Sequence, residues 1–250
     1  ARKKASGKGR MSDSIVIEDL TKYYGDFLAL DKLSLRVTEN ENIGLLGPNG
    51  AGKSTALKIL TGLLKPSSGR ATVHDVDVAR HSEQALYHVG AMIETSEFYG
   101  FLTPEENLSY LGRLRGMNGR SLRERIKEVI SLVKMDRWAR VKIEKFSRGM
   151  KQRLALAQSL LHDPPILILD EPALGLDPRG VVEFRHVIEE AGKTKTGFFA
   201  SHQLSEVTLI CDKVAFINEG RLLRYDTVEQ INKEFGSLEE AYLKVTGANE

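Results

Sequence analysis

The sequence predicts an α/β fold with a mostly parallel β-sheet, and three observations support this prediction. Short apolar runs, such as residues 43–46 and 166–169, are typical of buried strands. Segments with the apolar spacing of helices follow them along the chain. A glycine-rich stretch at residues 47–55 joins one strand directly to one helix. Strands that alternate with helices favour parallel pairing, because each helix returns the chain to the same edge of the sheet.

The remaining elements follow from the same patterns. Strands are predicted at residues 15–20, 33–37, 43–46, 70–73, 89–93, 166–169, 197–200, 213–218 and 221–226. Helices are predicted after the glycine-rich stretch and at about 104–115, 121–133, 148–161, 179–191 and 204–211. Two of them begin with capping boxes, Thr103-Pro104-Glu105-Glu106 and Ser121-Leu122-Arg123-Glu124. Residues 95–162 are therefore expected to be mostly helical.

The composition is that of a folded protein. The 250 residues suit one domain, or one domain with a subdomain. The hydrophobic fraction of 41% and the charged fraction of 28% exclude a disordered or collagen-like chain. No apolar run approaches the roughly 18–20 residues that cross a membrane. Cys211 is the single cysteine, which excludes a disulfide framework and fits a reducing compartment.

The charge is unevenly distributed along the chain. Residues 1–10 hold five of the 36 Lys and Arg residues and no acid, so the rest has 31 basic against 34 acidic residues. We expect this tail to be either a basic arm that touches anionic lipid or a remnant that is not native, since Met11-Ser-Asp-Ser resembles an ordinary start. The net acidic remainder argues against a nucleic-acid partner.

The glycine-rich stretch has the P-loop spacing Gly47-x-x-x-x-Gly52-Lys53-Ser54 between a predicted strand and helix. The glycines allow successive N–H groups to point at a polyphosphate, and the helix start adds its positive dipole end. Lys53 can reach the β- and γ-phosphates, and the Ser54 hydroxyl can coordinate Mg²⁺. The alternative is a chance glycine turn, which the strand–helix context disfavours. The residues assigned to nucleotide binding in this loop are Gly47, Pro48, Asn49, Gly50, Ala51, Gly52, Lys53, Ser54 and Thr55.

Two acids, Asp170 and Glu171, end the predicted strand at 166–169. Ligands of open α/β sheets bind at the carboxyl ends of strands. Asp170 can therefore support the Mg²⁺ shell, and Glu171 can orient or deprotonate an attacking water. The alternative is a strand that merely exits into solvent. A P-loop together with an acidic strand fits GTPases, helicases, kinases and transporter motors alike.

Three further motifs choose among these classes. They are Phe146-Ser147-Arg148-Gly149-Met150-Lys151-Gln152, Leu174-Gly175-Leu176-Asp177-Pro178 and Ser201-His202. With them, the sequence from about residue 15 to 247 resembles the ATP-binding cassette (ABC) ATPase family. The resemblance implies an α/β fold with a P-loop NTPase ABC ATPase core, an antiparallel β subdomain and an inserted helical subdomain at about 95–162. The ABC ATPase domain would span 11–247.

The resemblance also implies roles for single residues around ATP. Tyr24 matches the aromatic residue that stacks on adenine, with Tyr23 as the alternative. Asp170 matches the Walker B aspartate, and Glu171 matches the catalytic carboxylate. His202 matches the switch histidine that contacts the γ-phosphate.

The signature motif is expected to act on the nucleotide of a second chain. Its residues here are Ser147, Arg148, Gly149 and Met150, which read FSRGM with Phe146 where the family often has LSGGQ. The serine and the second glycine remain, so anion capping by the helix start is retained. Asp177 matches the D-loop acid that communicates across the dimer.

Mg²⁺ is expected at Ser54, Glu94 and Asp170. The family has a glutamine where this chain has Glu94, and glutamate there resembles the subgroup of bacitracin-resistance and lantibiotic-immunity transporters. A carboxylate can ligate Mg²⁺ or hold a water. We therefore expect Glu94 to be a working substitute that links the metal to the helical subdomain; the alternative is a tolerated surface change.

The function predicted from the resemblance is that of an ATP-hydrolysing motor subunit of an ABC transporter, and of an exporter in particular. It would form a homodimer on ATP and drive a separate transmembrane permease from the cytoplasmic face of the membrane. The alternative is a soluble ABC ATPase that acts as a mechanical switch or regulator. Such proteins usually carry a coiled-coil insertion or two cassettes, and neither is in this sequence.

An apolar cluster at residues 96–102 is the expected coupling surface for the permease. It contains Phe98, Tyr99, Phe101 and Leu102 between Glu94 and the first predicted helix of the inserted segment. Exposed apolar clusters are candidates for interaction sites. The alternative is that these side chains pack internally.

Overall fold

The computed structural model describes residues 12–94 and 97–247, except for the side chains of Ser205 and Glu206. The basic tail at 1–10 and Ser96 of the expected coupling surface lie outside the described residues. The strands are β1 (Asp13–Tyr24), β2 (Phe27–Thr38), β3 (Asn42–Leu46), β4 (Ser68–Val73), β5 (Val76–Asp77), β6 (Val89–Met92), β7 (Ile166–Asp170), β8 (Thr196–Ser201), β9 (Lys213–Asn218) and β10 (Arg221–Thr227). The helices are α1 (Lys53–Leu60), α2 (Ser82–Tyr87), α3 (Pro104–Leu114), α4 (Gly119–Leu132), α5 (Arg148–Leu160), α6 (Pro178–Gly192), α7 (Leu204–Ile210), α8 (Val228–Phe235) and α9 (Leu238–Thr246).

A six-stranded sheet in the order β10-β9-β3-β8-β7-β6 forms the centre of the molecule. All neighbours pair in parallel except β10 and β9, which are antiparallel. The predicted parallel core is thus confirmed. Because Leu46 is paired with Ser201 and Asp170 with Ala200, the carboxyl ends of β3, β8 and β7 lie side by side.

A second sheet in the order β2-β1-β4-β5 is antiparallel throughout. Helix α1 contacts β2 and β4 of this sheet and β7 and β8 of the parallel sheet. The buried residues of α1, such as Leu57 and Leu60, therefore pack between the two sheets. This position fixes the helix that follows the P-loop.

The parallel sheet is buried on both faces because alternate side chains of its strands enter two different cores. Phe198, Ile168 and Leu45 belong to the core shared with α1, while Phe199 and Leu169 belong to the core shared with α4 and α5. Each of these side chains is at most 1% exposed. Full burial of one such side chain stabilises the fold by about 1.5–3 kcal/mol. Strands with two buried faces explain the continuous apolar runs in the sequence.

Helices α3, α4 and α5 fill the segment between β6 and β7. The predicted capping box of α3 is confirmed, since Thr103 and Glu106 satisfy each other's backbone N–H groups. The second predicted box is wrong. Helix α4 begins two residues earlier, after Asn118, and the Ser121 hydroxyl donates to the Asn118 carbonyl instead of capping the helix.

Helices α2, α8 and α9 and strand β5 are absent from the sequence-based prediction. For α8 and α9, the sequence contains a capping signal. Thr227 accepts a hydrogen bond from the Gln230 N–H at the start of α8, and Ser237 accepts one from the Glu240 N–H at the start of α9. Both pairs have the spacing of a capping box. Among the described residues, no helix is long and apolar enough to cross a membrane.

His162, just after α5, generates a prediction on stability. Its Nε2 donates to the Val89 carbonyl over 3.1 Å, and Nδ1 is buried with no partner among the described residues. Burial lowers the pKa of His162 from 6.5 to about 4, and the charge of Arg115 adds to this. Below pH 6.5 the unfolded chain therefore binds a proton that the folded chain rejects.

We expect the free energy of unfolding to fall by about 2 kcal/mol between pH 7.5 and pH 5 because of His162 alone. His162→Gln keeps a donor for Val89 and removes this contribution. Urea denaturation of both proteins across the pH range measures the difference, since all other groups titrate in both. Parallel pH profiles of the two proteins would contradict the prediction.

Candidate nucleotide-binding site

The P-loop leaves β3 after Leu46 and runs into α1 at Lys53. Gly50 and Gly52 have φ angles of +85° and +102°, which L side chains rarely adopt. A Cβ at Gly47 would lie 2.2 Å from the Ile217 carbonyl oxygen, so the loop backbone packs directly on β9. The glycines of the motif therefore serve both the curl of the loop and its close packing.

The start of α1 is open to an anion. Its N-cap is Gly52, which offers no side-chain cap, and the first turn contains no acidic residue. The N–H groups of this turn have no partner within the helix. With the positive end of the helix dipole, they favour a phosphate at this position.

Lys53 lies folded back on the P-loop and is only 7% exposed. Its Nζ donates to the carbonyls of Gly47 over 2.7 Å and Pro48 over 3.1 Å. Burial lowers the pKa of Lys53, and the charges of Glu171 and Asp170 act in the opposite direction. The loop thus holds a poorly solvated cation close to two carboxylates.

Asp170 ends β7 with a carboxylate that is 6% exposed. Burial raises its pKa, while a hydrogen bond with the Ser54 hydroxyl lowers it. Oδ1 of Asp170 is buried and has no partner among the described residues. An orphaned carboxylate oxygen next to a hydroxyl is a donor set that suits Mg²⁺. Ser54 and Asp170 therefore fit the expected metal.

Glu171 and His202 form a pair next to Asp170. Glu171 Oε1 lies 2.8 Å from His202 Nδ1, and the Ser201 hydroxyl donates to Oε2 over 3.4 Å. The backbone of Glu171 has a φ of +45°, in the left-handed region, and its N–H donates to the Ala200 carbonyl. A side chain with a Cβ is strained there. The turn after β7 thus holds the carboxylate against the end of β8.

Glu94, the third residue expected to bind Mg²⁺, has a largely exposed side chain. Its side chain is 63% exposed and forms an ion pair with Lys58 of α1. This contact raises the pKa of Lys58, and the charge of Glu94 contributes to the raised pKa of Asp170. Glu94 therefore lies within electrostatic reach of the candidate metal site but contacts a lysine. Its role as a ligand stays a prediction.

Tyr24 ends β1 with its ring exposed. It is 46% exposed, and the Lys22 ammonium lies 5.4 Å from the centre of its ring. Tyr23 is 48% exposed, so exposure does not separate the two candidates for stacking on adenine.

Ser147 is the N-cap of α5, and its hydroxyl accepts a hydrogen bond from the Met150 N–H over 3.3 Å. The Arg148 side chain crosses Gly175, where a Cβ would lie 2.9 Å from its Cδ. Gly149 packs on the Gly175 carbonyl. The signature motif and the loop before Asp177 therefore form one packed unit within the chain.

A basic cleft surrounds this unit. Its charged residues are Lys134, Arg137, Arg148, Arg153, Asp177, Arg179 and Glu183, and Trp138 lines it as well. The cleft contains no residue of the P-loop. Asp177 caps α6 by accepting from the Gly180 N–H over 2.8 Å, so it has a structural role beside the predicted one.

The fold thus brings together Lys53, Ser54, Asp170, Glu171 and His202. It places the signature residues in a different cleft and Glu94 beside Lys58 of α1, while Tyr24 is exposed at the end of β1. Three polar contacts were not predicted from the sequence.

The unpredicted residues are Lys58, which pairs with Glu94, Ser201, which donates to Glu171, and Gln152, which donates to the backbone after β7. Ser201 and Gln152 belong to motifs in the sequence, but no role was predicted for either. No sequence signal marked the contacts of Lys58 and Gln152, because their partners lie on distant elements.

Comparison with known proteins agrees with this geometry. The family model described as ABC transporter matches residues 30–174. The bacitracin transport ATP-binding protein BcrA of Bacillus licheniformis is 38% identical over 230 residues, which cover 90% of this chain and 74% of that protein. The linearmycin resistance ATP-binding protein LnrL of Bacillus subtilis is 32% identical over 234 residues, covering 93% and 75%. These relatives do not favour the alternative of a soluble switch.

Solved structures share the fold. An ATP-binding subunit of an ABC transporter superposes with a TM-score of 0.84 at 28% identity, covering 92% of this chain and 98% of that one. The dimeric bacterial ABC transporter cassette MJ0796 gives a TM-score of 0.77 at 25% identity, covering 85% and 98%. The predicted fold class is confirmed. The chain belongs to the ABC transporter family, as an ATP-binding subunit that hydrolyses ATP.

Proposed function

We propose that the chain is the motor subunit of an ABC exporter and that it works as a dimer beneath a transmembrane permease on the cytoplasmic face of the membrane. The observation that carries the proposal is that Lys53 at the start of α1 lies near Asp170 and Glu171 at the end of β7. The serine-capped start of α5 opens into another cleft. A γ-phosphate bound by one P-loop needs a second chain to supply Ser147. Two chains would then enclose two ATP molecules.

The residues of this chain divide the work of hydrolysis. Lys53 exchanges its two carbonyl acceptors for phosphate oxygens, which relieves the burial of its charge. Ser54 and Asp170 would hold Mg²⁺, which neutralises charge on the β- and γ-phosphates when bound. Glu171 orients the attacking water and accepts its proton, and His202 is fixed by Glu171 through Nδ1.

Export is favoured by the names of the relatives. They include proteins named for bacitracin transport, linearmycin resistance and probable multidrug transport. We propose by analogy that this chain drives the outward movement of a compound that is harmful to the cell. The permease would contact that compound, and this chain would supply the energy of ATP hydrolysis.

We expect Glu171→Gln to bind Mg-ATP, to lose turnover by on the order of 100-fold, and to accumulate a dimer. The amide keeps the size of the side chain but cannot accept the proton. Light scattering after size-exclusion chromatography, with and without saturating Mg-ATP, measures the dimer. Lys53→Ala in the same background is the control and should stay monomeric, since it loses a phosphate contact. A Glu171→Gln protein that is monomeric in saturating Mg-ATP would contradict the sandwich.

Glu94 should affect the requirement for magnesium. We expect Glu94→Ala to raise the Mg²⁺ concentration for half-maximal ATP hydrolysis by about tenfold, and Glu94→Gln to raise it less, because an amide oxygen can still face a metal. Lys58→Ala is the matched control, since it breaks the ion pair and leaves the carboxylate. If both Glu94 variants hydrolyse ATP with the parental magnesium profile, Glu94 is a surface residue only.

The permease is expected to dock on an aromatic cluster formed by Tyr99, Phe101 and Tyr110. The Tyr99 ring lies 5.8 Å from Phe101 and 5.7 Å from Tyr110, and the three side chains are 50%, 65% and 44% exposed. Phe98 is different, because it packs against the hydrophobic core. Of the residues expected in the coupling surface, Phe98 is thus partly buried, while Tyr99 and Phe101 are exposed and lie near Tyr110 of α3.

We expect Tyr99→Glu and Phe101→Glu to release the chain from detergent-solubilised membrane complexes while the ATPase activity of the isolated chain is unchanged. Burying a carboxylate in an apolar contact is strongly unfavourable. Leu223→Glu is the control, since Leu223 is 42% exposed on β10, at the opposite edge of the sheet from β6. Affinity capture of the tagged chain measures the bound membrane protein. Equal capture by all variants would contradict docking at the aromatic cluster.

A further inference from the structure

A side chain of α5 reaches the backbone that holds the hydrolytic carboxylate. The Gln152 amide Nε2 donates to the Glu171 carbonyl over 3.2 Å and to the Pro172 carbonyl over 2.8 Å. Both acceptors are backbone carbonyls, which can only accept, so the NH₂ side of the amide must face them. No other residue type of this size offers two donors and no charge.

The backbone at this point is strained and closely tied. Glu171 has a φ of +45°, and its carbonyl also accepts from the Leu174 N–H over 3.1 Å. Its own N–H donates to the Ala200 carbonyl of β8. A residue in the left-handed region persists only where neighbouring contacts fix it. Gln152 supplies two of those contacts. They connect the turn to α5, the helix that begins with the signature motif.

The signature serine lies at the start of the same helix. Ser147 caps α5, and Gln152 follows it by five residues, or about 7.5 Å along the helix axis. Gly149, between them, packs on the Gly175 carbonyl of the loop that follows Glu171. A displacement of the helix tip would therefore be carried to the turn at Glu171 through a rigid element and two hydrogen bonds.

We propose that Gln152 is a positioning residue that couples the two ATP sites of the dimer. The proposal rests on the proposed function, in which Ser147 of a chain serves the ATP of its partner while Glu171 of the same chain serves its own ATP. Gln152 then joins the two sites within one polypeptide. Closure of Ser147 on one nucleotide sets the carboxylate that hydrolyses the other.

The test compares the ATP dependence of turnover in the parent, Gln152→Met and Gln152→Glu. Methionine keeps the length of the side chain without a donor, and glutamate keeps the shape but presents only acceptors to two carbonyls. We expect turnover to fall by on the order of 10- to 100-fold in both, and the Hill coefficient to fall from above 1 in the parent to 1. Lys151→Ala, an exposed neighbour on the same turn, is the matched control and should behave as the parent.

A second measurement separates positioning from damage to the helix. In the Glu171→Gln background, Gln152→Met should form the ATP-dependent dimer at the same Mg-ATP concentration as Glu171→Gln alone, because the serine cap of α5 is untouched. Loss of that dimer would overturn the proposal, since Gln152 would then shape the helix tip itself. Parental turnover and Hill coefficient in Gln152→Met would also overturn it.

The two proposals fail in different ways. If Glu171→Gln alone stays monomeric in saturating Mg-ATP, the sandwich is wrong and the coupling with it. If Glu171→Gln dimerises but the Gln152 variants keep parental kinetics, only the coupling is wrong.

Discussion

Two buried opposite charges, Lys53 at the start of α1 and Asp170 at the end of β7, are the central constraint on this structure. Lys53 and Asp170 are 7% and 6% exposed. Burial lowers the pKa of Lys53 and raises the pKa of Asp170, so it favours the neutral form of both side chains. Charges are kept in such places only when they are paired or when a ligand completes their environment. Among the described residues, Nζ of Lys53 donates to two backbone carbonyls, and Oδ1 of Asp170 has no partner. In the proposed function, a polyphosphate with its cation would supply a partner to each of these groups.

The centre of the fold could be predicted because local and global signals agree there. The apolar runs at 43–46 and 166–169 are fully buried strands of the parallel sheet, and glycine spacing fixed the loop between β3 and α1. The parallel order brings strand ends together, so Asp170 could be expected near the P-loop from the topology alone. His202 was assigned to the same site only through the resemblance to the ABC ATPase family.

Other features depend on contacts between distant elements, which a single sequence does not show. The ion pair of Lys58 with Glu94 and the hydrogen bond of Gln152 to Glu171 require the packed positions of two helices, α1 and α5, and two strands, β6 and β7. The predicted start of α4 was wrong for a related reason. Ser121 has the right spacing for a cap, but its hydroxyl donates to the Asn118 carbonyl. Spacing identifies candidates, and the alternative partners of a hydroxyl decide between them.

The left-handed backbone of Glu171 has a consequence for how this protein can be changed. Glycine would adopt that conformation without penalty, and asparagine would do so more readily than glutamate. The chain therefore carries, at the position proposed to act in hydrolysis, a residue that its own main chain disfavours. Selection for greater thermal resistance alone would tend to remove this glutamate, so activity and robustness compete at a single site.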